Sequence, residues 1–164
     1  MNQDTSGMIL RTEVRPGDVG SVRQIVTSSG FFREDEVEVA AGLVEERLAK
    51  GAESGYEFIF ADFAGRTVAY ACYGLIPCTL TSYDLYWIAT LQEYRDHGLG
   101  RKILLEVEKA VAARGGKGLY VETSNMAKYE PTRKFYEKNG YALKAVFEDF
   151  YAEGDDKVVY VKKV

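Results

Sequence analysis

The stretch Arg95-Asp96-His97-Gly98-Leu99-Gly100 sets two glycines and a cation where an apolar run gives way to helical spacing. The first N–H groups of a helix lack intrahelical partners and carry partial positive charge, so a backbone that comes close can hold phosphate oxygens. Gly98 and Gly100 permit that approach, and Arg95, Arg101 and Lys102 add cationic donors where the helix dipole alone favours acids. A dinucleotide fingerprint needs a third glycine near Lys102 or Ile103, and a P-loop needs Gly-Lys-Ser/Thr; neither is there. The pattern predicts a pyrophosphate site of another type. A second constellation, Pro131 through Tyr141, places the Tyr136 phenol on a short helix; taken alone, Tyr136 reads as a half-buried core tyrosine. His97 is the only histidine and lies in the glycine turn, so no Ser-His-Asp or Cys-His triad is predicted.

The elements that position these residues follow from periodicity. A strand is predicted over Leu85–Leu91, within a longer strand pattern from Leu80, and feeds the glycine turn. Leu99, Ile103, Leu104, Val107, Ala110 and Val111 then repeat at helical spacing, and Arg114-Gly115-Gly116 stops that helix. Leu119–Thr123 is the next strand, parallel to the preceding one through a right-handed crossover. Upstream, the pattern predicts a strand over Met8–Val14, a helix N-capped by Asp18, and a second helix over 33–50. A hairpin of Tyr56–Phe63 and Thr67–Leu75 follows, turning at Ala64-Gly65-Arg66. Pro131 opens a short helix through Lys138, and Tyr141–Tyr151 with Lys157–Val164 closes the chain as a hairpin.

At 164 residues, the length fits one domain with a core that needs no disulfide or metal. A net charge of −4 argues against a broad nucleic-acid surface, and any anion site is therefore local. Cys72 and Cys78 read as buried structural thiols, with no metal cluster around them. No basic-then-apolar leader and no apolar run of about 20 residues is present, which predicts a cytoplasmic protein without a membrane partner.

Trp87-Ile88-Ala89-Thr90 leading to Arg95-x-x-Gly98-x-Gly100 resembles motif A of the GCN5-related N-acetyltransferase (GNAT) superfamily, and Phe135-Tyr136-Glu137-Lys138-Asn139-Gly140-Tyr141 resembles its motif B. The predicted order of strands and helices also fits that family from Met8 to Val164. The resemblance implies an α/β (α+β) fold: one GNAT-like domain over 1–164, a mixed central sheet of about seven strands with a splayed central parallel pair, and about four flanking helices. It implies acetyl-CoA as co-substrate and transfer of its acetyl group to an amine of a small molecule, amino acid or peptide, by direct attack in a ternary complex. By the same resemblance, backbone groups of Ile88, Ala89 and Thr90 pair with the pantetheine arm. The amides from Asp96 through His97, Gly98, Leu99 and Gly100 to Arg101 hold the pyrophosphate beside Arg95, and Tyr136 sits near the thioester sulfur. The family asparagine before motif B falls at Tyr129 here, and Asn125 lies four residues too early for it.

Acetyl transfer needs a deprotonated amine, a polarised thioester carbonyl and a group to meet charge developing on sulfur. Asp84 is the first candidate base and Glu122 the second, with electrostatic attraction or structural pairing as the alternative role for both. Phe31, Phe32, Tyr83, Tyr86 and Tyr151 are the candidate pocket lining, although Phe31-Phe32 also reads as a hydrophobic staple for the second helix. Acidic Asp84, Glu122 and Asp149 favour a cationic acceptor. Exposed strand edges leave room for a homodimer. The rival class is a non-catalytic acyl-CoA-binding or sensing module.

Overall fold

Among the described residues, seven strands, hydrogen-bonded in the order β1-β2-β3-β4-β5-β7-β6, and four α-helices make the α/β (α+β) fold that the sequence implies. The strands are β1 (Ile9–Arg11), β2 (Glu57–Phe63), β3 (Arg66–Leu75), β4 (Ser82–Thr90), β5 (Gly118–Ser124), β6 (Ala142–Ala152) and β7 (Asp155–Lys163). The helices are α1 (Asp18–Ser28), α2 (Glu34–Lys50), α3 (Leu99–Ala113) and α4 (Glu130–Lys138). The computed structural model describes residues 6–164; residues 1–5 of the expected domain lie outside it. Among the described residues, contacts cluster into two compact units, one of residues 6–74 with 87–107 and one of residues 75–86 with 108–164.

In the first unit β1 pairs antiparallel with β2, and β2 with β3. Ala64 and Gly65 carry positive φ in the β2–β3 turn, as a tight hairpin demands. Eight consecutive residues of β3, Thr67 to Gly74, are buried. Unbroken burial along a strand means that both faces are covered, so the alternation that marks a half-exposed strand is missing. Helix α1 buries Val22, Ile25 and Val26 and packs on α2, which buries Val37, Ala40, Ala41 and Val44. Strand β1 is shorter than the Met8–Val14 pattern suggests. Beyond Arg11 the chain turns so that the Arg15 N–H donates to the Asp18 carboxylate at 2.7 Å. Asp18 is the first helical residue, after Gly17, and not the cap; its carboxylate is 2% exposed and receives the Arg11 guanidinium.

In the second unit β5 runs parallel to β4 and antiparallel to β7, which lies between β5 and β6. The parallel ladder has three rungs, Ser82–Gly118, Tyr83–Leu119 and Asp84–Tyr120. Gly116, in the stop after α3, is required for space: a Cβ there would lie 2.4 Å from Val111 Cγ1 and 2.9 Å from the Val111 carbonyl oxygen and the Tyr83 ring. Cys72 is buried as expected, but Cys78 is exposed. It follows Pro77 in the turn between β3 and β4 with φ of 65°, outside any core.

Candidate active site

In the first unit, β4 ends at Thr90, a single turn of 3-10 helix spans Gln92–Tyr94, and α3 begins at Leu99. The Leu91 N–H donates to the Val68 carbonyl at 2.8 Å and the Gln92 N–H to Ser28 Oγ at 3.2 Å, which ties the start of the turn to β3 and α1. Gly98 has φ of 75° and open space around its Cα, so glycine answers a backbone need there and not a packing one. The Lys102 N–H donates to the Gly98 carbonyl at 3.1 Å and closes the first turn of α3. No acidic residue occupies the first turn of α3; Gly100, Arg101 and Lys102 do. Asp96 and His97 lie in the turn, Asp96 at a φ of 64°, and Leu99 is buried and anchors the helix start. Ile88, Ala89 and Thr90 are half-buried on the last part of β4.

Phe31 and Phe32 join this turn and strand. The Arg95 guanidinium lies 5.6 Å above the Phe31 ring, and Phe32 meets Trp87 edge-on at 5.0 Å. The aromatic pair thus connects the α1–α2 loop to both ends of the segment from Trp87 to Arg95. At the start of α2 the Arg33 N–H donates to the Glu36 carboxylate at 2.8 Å.

The second unit carries the candidate acid–base groups. Strand alternation puts Ser82, Asp84 and Tyr86 on one face of β4, and the rung to Tyr120 brings Tyr120 and Glu122 of β5 onto that face. The Asp84 carboxyl is half-buried, and its pKa is pushed up from 3.8 to about 6. Desolvation is the largest cause, the charge of Glu122 adds to it, and the charge of Lys157 opposes it. Lys157 Nζ is 3.4 Å from Glu122 Oε1 and 3.9 Å from the centre of the Phe150 ring. Neither Lys157 nor Tyr120 stands out in the sequence. Their place beside Asp84 is visible only once β5 is known to pair with both β4 and β7.

Tyr83 is buried on the opposite face of β4 from Asp84, with its ring against the Gly116 turn. Tyr136 is 4% exposed and packs among Tyr141, Tyr160 and Phe135, on the Tyr160 side of the strands. Burial raises its pKa well above the ordinary phenol value, so the phenol stays protonated. Tyr151 is exposed beside Phe150, its ring edge-on at 5.1 Å. Asp149 is exposed, its N–H bonds to Asp156, and its carboxylate accepts the Gly154 N–H, so it shapes the β6–β7 turn. Tyr129 is the residue before α4, with the Lys128 ammonium 5.0 Å from its ring.

Asn125 is bonded to Asp156 at three points. Its Nδ2 donates to Asp156 Oδ2 at 2.7 Å, its Oδ1 accepts the Asp156 N–H at 2.9 Å, and its own N–H donates to the Asp156 carbonyl at 3.1 Å. Three bonds therefore lock the end of β5 to the start of β7. Arg133 of α4 donates to the carbonyls of Ser124 and Met126 at 2.9 Å each and holds the same loop from the other direction. Among the described residues no group of three or more His, Cys, Asp or Glu could hold a metal, and no helix is long and apolar enough to cross a membrane.

The profile described as an acetyltransferase (GNAT) domain matches residues 54–143. A GNAT-family protein of Desulfovibrio desulfuricans is 46% identical and superposes with a TM-score of 0.94, over 95% of this chain and 98% of that one. The uncharacterized N-acetyltransferase YsnE of Bacillus subtilis is 34% identical over 67 residues, which is 41% of this chain and 44% of that protein. The PaiA N-acetyltransferase of Thermoplasma acidophilum, solved with coenzyme A, shares the fold at a TM-score of 0.71 and 18% identity, over 96% of this chain and 99% of that one.

Proposed function

The chain belongs to the GNAT acetyltransferases, and on that premise we propose that it moves the acetyl group of acetyl-CoA to the nitrogen of a small-molecule, amino-acid or peptide amine. The observation that carries this reading is the turn from Arg95 to Arg101. It combines a left-handed Gly98, a helix start without an acidic residue, and Arg95, Arg101 and Lys102. That donor set matches a pyrophosphate in charge and backbone exposure. The half-buried backbone of Ile88, Ala89 and Thr90 is assigned to the pantetheine arm, and Tyr129 to the cofactor as well. Residues 1–164 are assigned to one catalytic domain.

In acetyl transfer the amine lone pair forms the new N–C bond, the C–S bond breaks, and one proton leaves the nitrogen. Asp84 is assigned to take that proton, directly or through water. With a pKa of about 6 it is ionised at neutral pH and a better base than an ordinary aspartate. It does not strip a free ammonium cheaply, because the gap to an alkylammonium near 10.4 costs roughly 6 kcal/mol. The amine N–H becomes acidic as the nitrogen attacks, and Asp84 is placed to act at that stage. Glu122 remains the alternative base and contributes the field that makes Asp84 more basic. Tyr136 is assigned to the departing sulfur as a hydrogen-bond donor. A phenol pushed above its usual pKa is a poorer acid than a thiol, so hydrogen bonding, not full proton transfer to a free thiolate, is its role. Phe31, Phe32, Tyr86 and Tyr151 are assigned to the acceptor side, and the acidic face of Asp84 and Glu122 favours a cationic acceptor.

The test is release of free CoA from acetyl-CoA across an amine library, beside calorimetric binding of CoA. Turnover on at least one amine supports the reading. Tight CoA binding with no turnover on any amine supports an acyl-CoA-sensing module in its place, and no CoA binding sinks both.

A further inference from the structure

The Lys157 side chain is 14% exposed and lies on the face of the second unit that carries Asp84 and Glu122. Its position is set by backbone register: Lys157 is opposite Phe147 on β6 and opposite Ser124 on β5, one side-chain step along the face from Glu122. Its ammonium is 3.4 Å from the Glu122 carboxylate, 3.9 Å from the Phe150 ring centre and 5.2 Å from that of Phe147. One carboxylate and two ring faces around one nitrogen is the chemistry that recognises an alkylammonium. Phe147 and Phe150 stay about half exposed, at 49% and 55%, with Lys157 in place, so the pocket around the ammonium borders solvent.

We propose that Lys157 is a built-in cation that fills an ammonium subsite made by Glu122, Phe147 and Phe150, and so restricts the acceptor to a single positive charge near the reacting nitrogen. The inference rests on the reading of the Asp84 face as the acceptor face. The groups that face Asp84 are Tyr86 on its own strand, Tyr120 and Glu122 on β5, and Lys157 on β7. Lys157 offsets the charge of Glu122 and leaves Asp84 as the carboxylate that meets the acceptor. A second ammonium on the acceptor would meet the like charge of Lys157 in the place that suits it best. Removing the lysine charge while keeping its apolar stem exposes that place.

The test uses the full-length protein with K157M, K157R and, as a second neutral variant, K157Q, each checked for unchanged thermal unfolding. Carboxyl-carbon NMR follows Asp84 through a pH titration and follows binding of pentylamine and 1,5-diaminopentane. In the wild type pentylamine binds at least about threefold more tightly than the diamine, which meets the like charge of Lys157. K157M or K157Q shifts the preference about tenfold toward the diamine and moves the Asp84 titration to higher pH, because a cation that favoured the carboxylate is gone. K157R keeps wild-type behaviour in both. An unchanged preference in the neutral variants, or no response of the Asp84 and Glu122 carboxyls to the diamine, overturns the proposal. Full acetyl transfer by D84N sinks the base assignment instead and leaves these binding results standing.

Discussion

Asp84 and Tyr120 form the last of the three rungs of the β4–β5 ladder, which sets the Asp84 carboxyl on the face shared with Glu122. Two consequences follow from a pKa of about 6 in place of 3.8. The ascending limb of kcat/KM that reports Asp84 lies near pH 6, and D84N removes it along with about 10²-fold or more of the rate. Stability moves the other way. The folded chain binds more protons than the unfolded one between pH 3.8 and about 6, so this group's contribution falls as pH rises through that window. The full shift corresponds to about 3 kcal/mol, and about half that is expected for a half-exposed carboxyl. Urea unfolding of D84N should therefore show a gain of about 1–2 kcal/mol at pH 8 and none at pH 4. Equal stability of the two proteins at both pH values would remove the physical basis for a tuned base.

Gly98 separates a conformational requirement from a steric one. A Cβ there meets no atom within 4 Å, yet φ is 75°. G98A should cost about 1–2 kcal/mol of stability through backbone strain alone. G98V adds a branched side chain where the turn must approach an anion, and CoA affinity is expected to fall about tenfold or more by calorimetry. Unchanged affinity in G98V would remove the turn from the cofactor site.

Arg11 joins three groups that are far apart in the chain. It donates to Asp18 at 2.5 and 2.8 Å, to Asp62 at 2.6 Å and to Thr67 at 3.1 Å, with its guanidinium carbon 4.4 Å from the centre of the Phe60 ring. Burial pushes the Asp62 carboxyl up, but the bonds from Arg11 and Thr67 outweigh it and hold the pKa below the ordinary value. R11M keeps the packing on Phe60 and removes the guanidinium shared by two carboxylates, one of them on Asp18, which is 2% exposed. A loss of about 3–5 kcal/mol in urea unfolding is expected. A loss below 1 kcal/mol would mean that the network is solvated.

The elements and the glycine turn were legible in the sequence because their signals are local. Helical spacing from Leu99 to Val111 and the Ala64-Gly65 hairpin turn depend on neighbours within a few residues. What escaped depends on register between distant segments. Asp18 looks like a cap because aspartate before an apolar helical run favours that role; it is taken instead by Arg11, seven residues upstream. Asn125 and Asp156 are 31 residues apart, and Lys157 gains its neighbours only through the β5–β7 and β6–β7 pairings. Cys78 reads as a buried thiol beside a strand pattern, but Pro77 ends that pattern one residue earlier and the thiol is exposed.

Tyr136 allows a core role and a chemical role to be told apart. Its ring is packed among Tyr141, Tyr160 and Phe135, at centroid distances of 5.6, 6.3 and 5.4 Å, and Phe in its place preserves those contacts. Y136F should therefore leave thermal unfolding within about 1 kcal/mol of wild type. CoA affinity should change by less than about threefold. If the hydroxyl meets charge on the departing sulfur, turnover falls about 10²-fold, at the low end for acid assistance because a thiolate already leaves readily. The pH profile gives the second reading. Burial raises the Tyr136 pKa above its ordinary value of 10.0, so the required protonated phenol persists through pH 10 and the wild type shows no descending limb from this group below that pH. Turnover and CoA affinity that both survive Y136F would assign the residue to packing alone, and the departing sulfur would then have to be met by water or a backbone N–H.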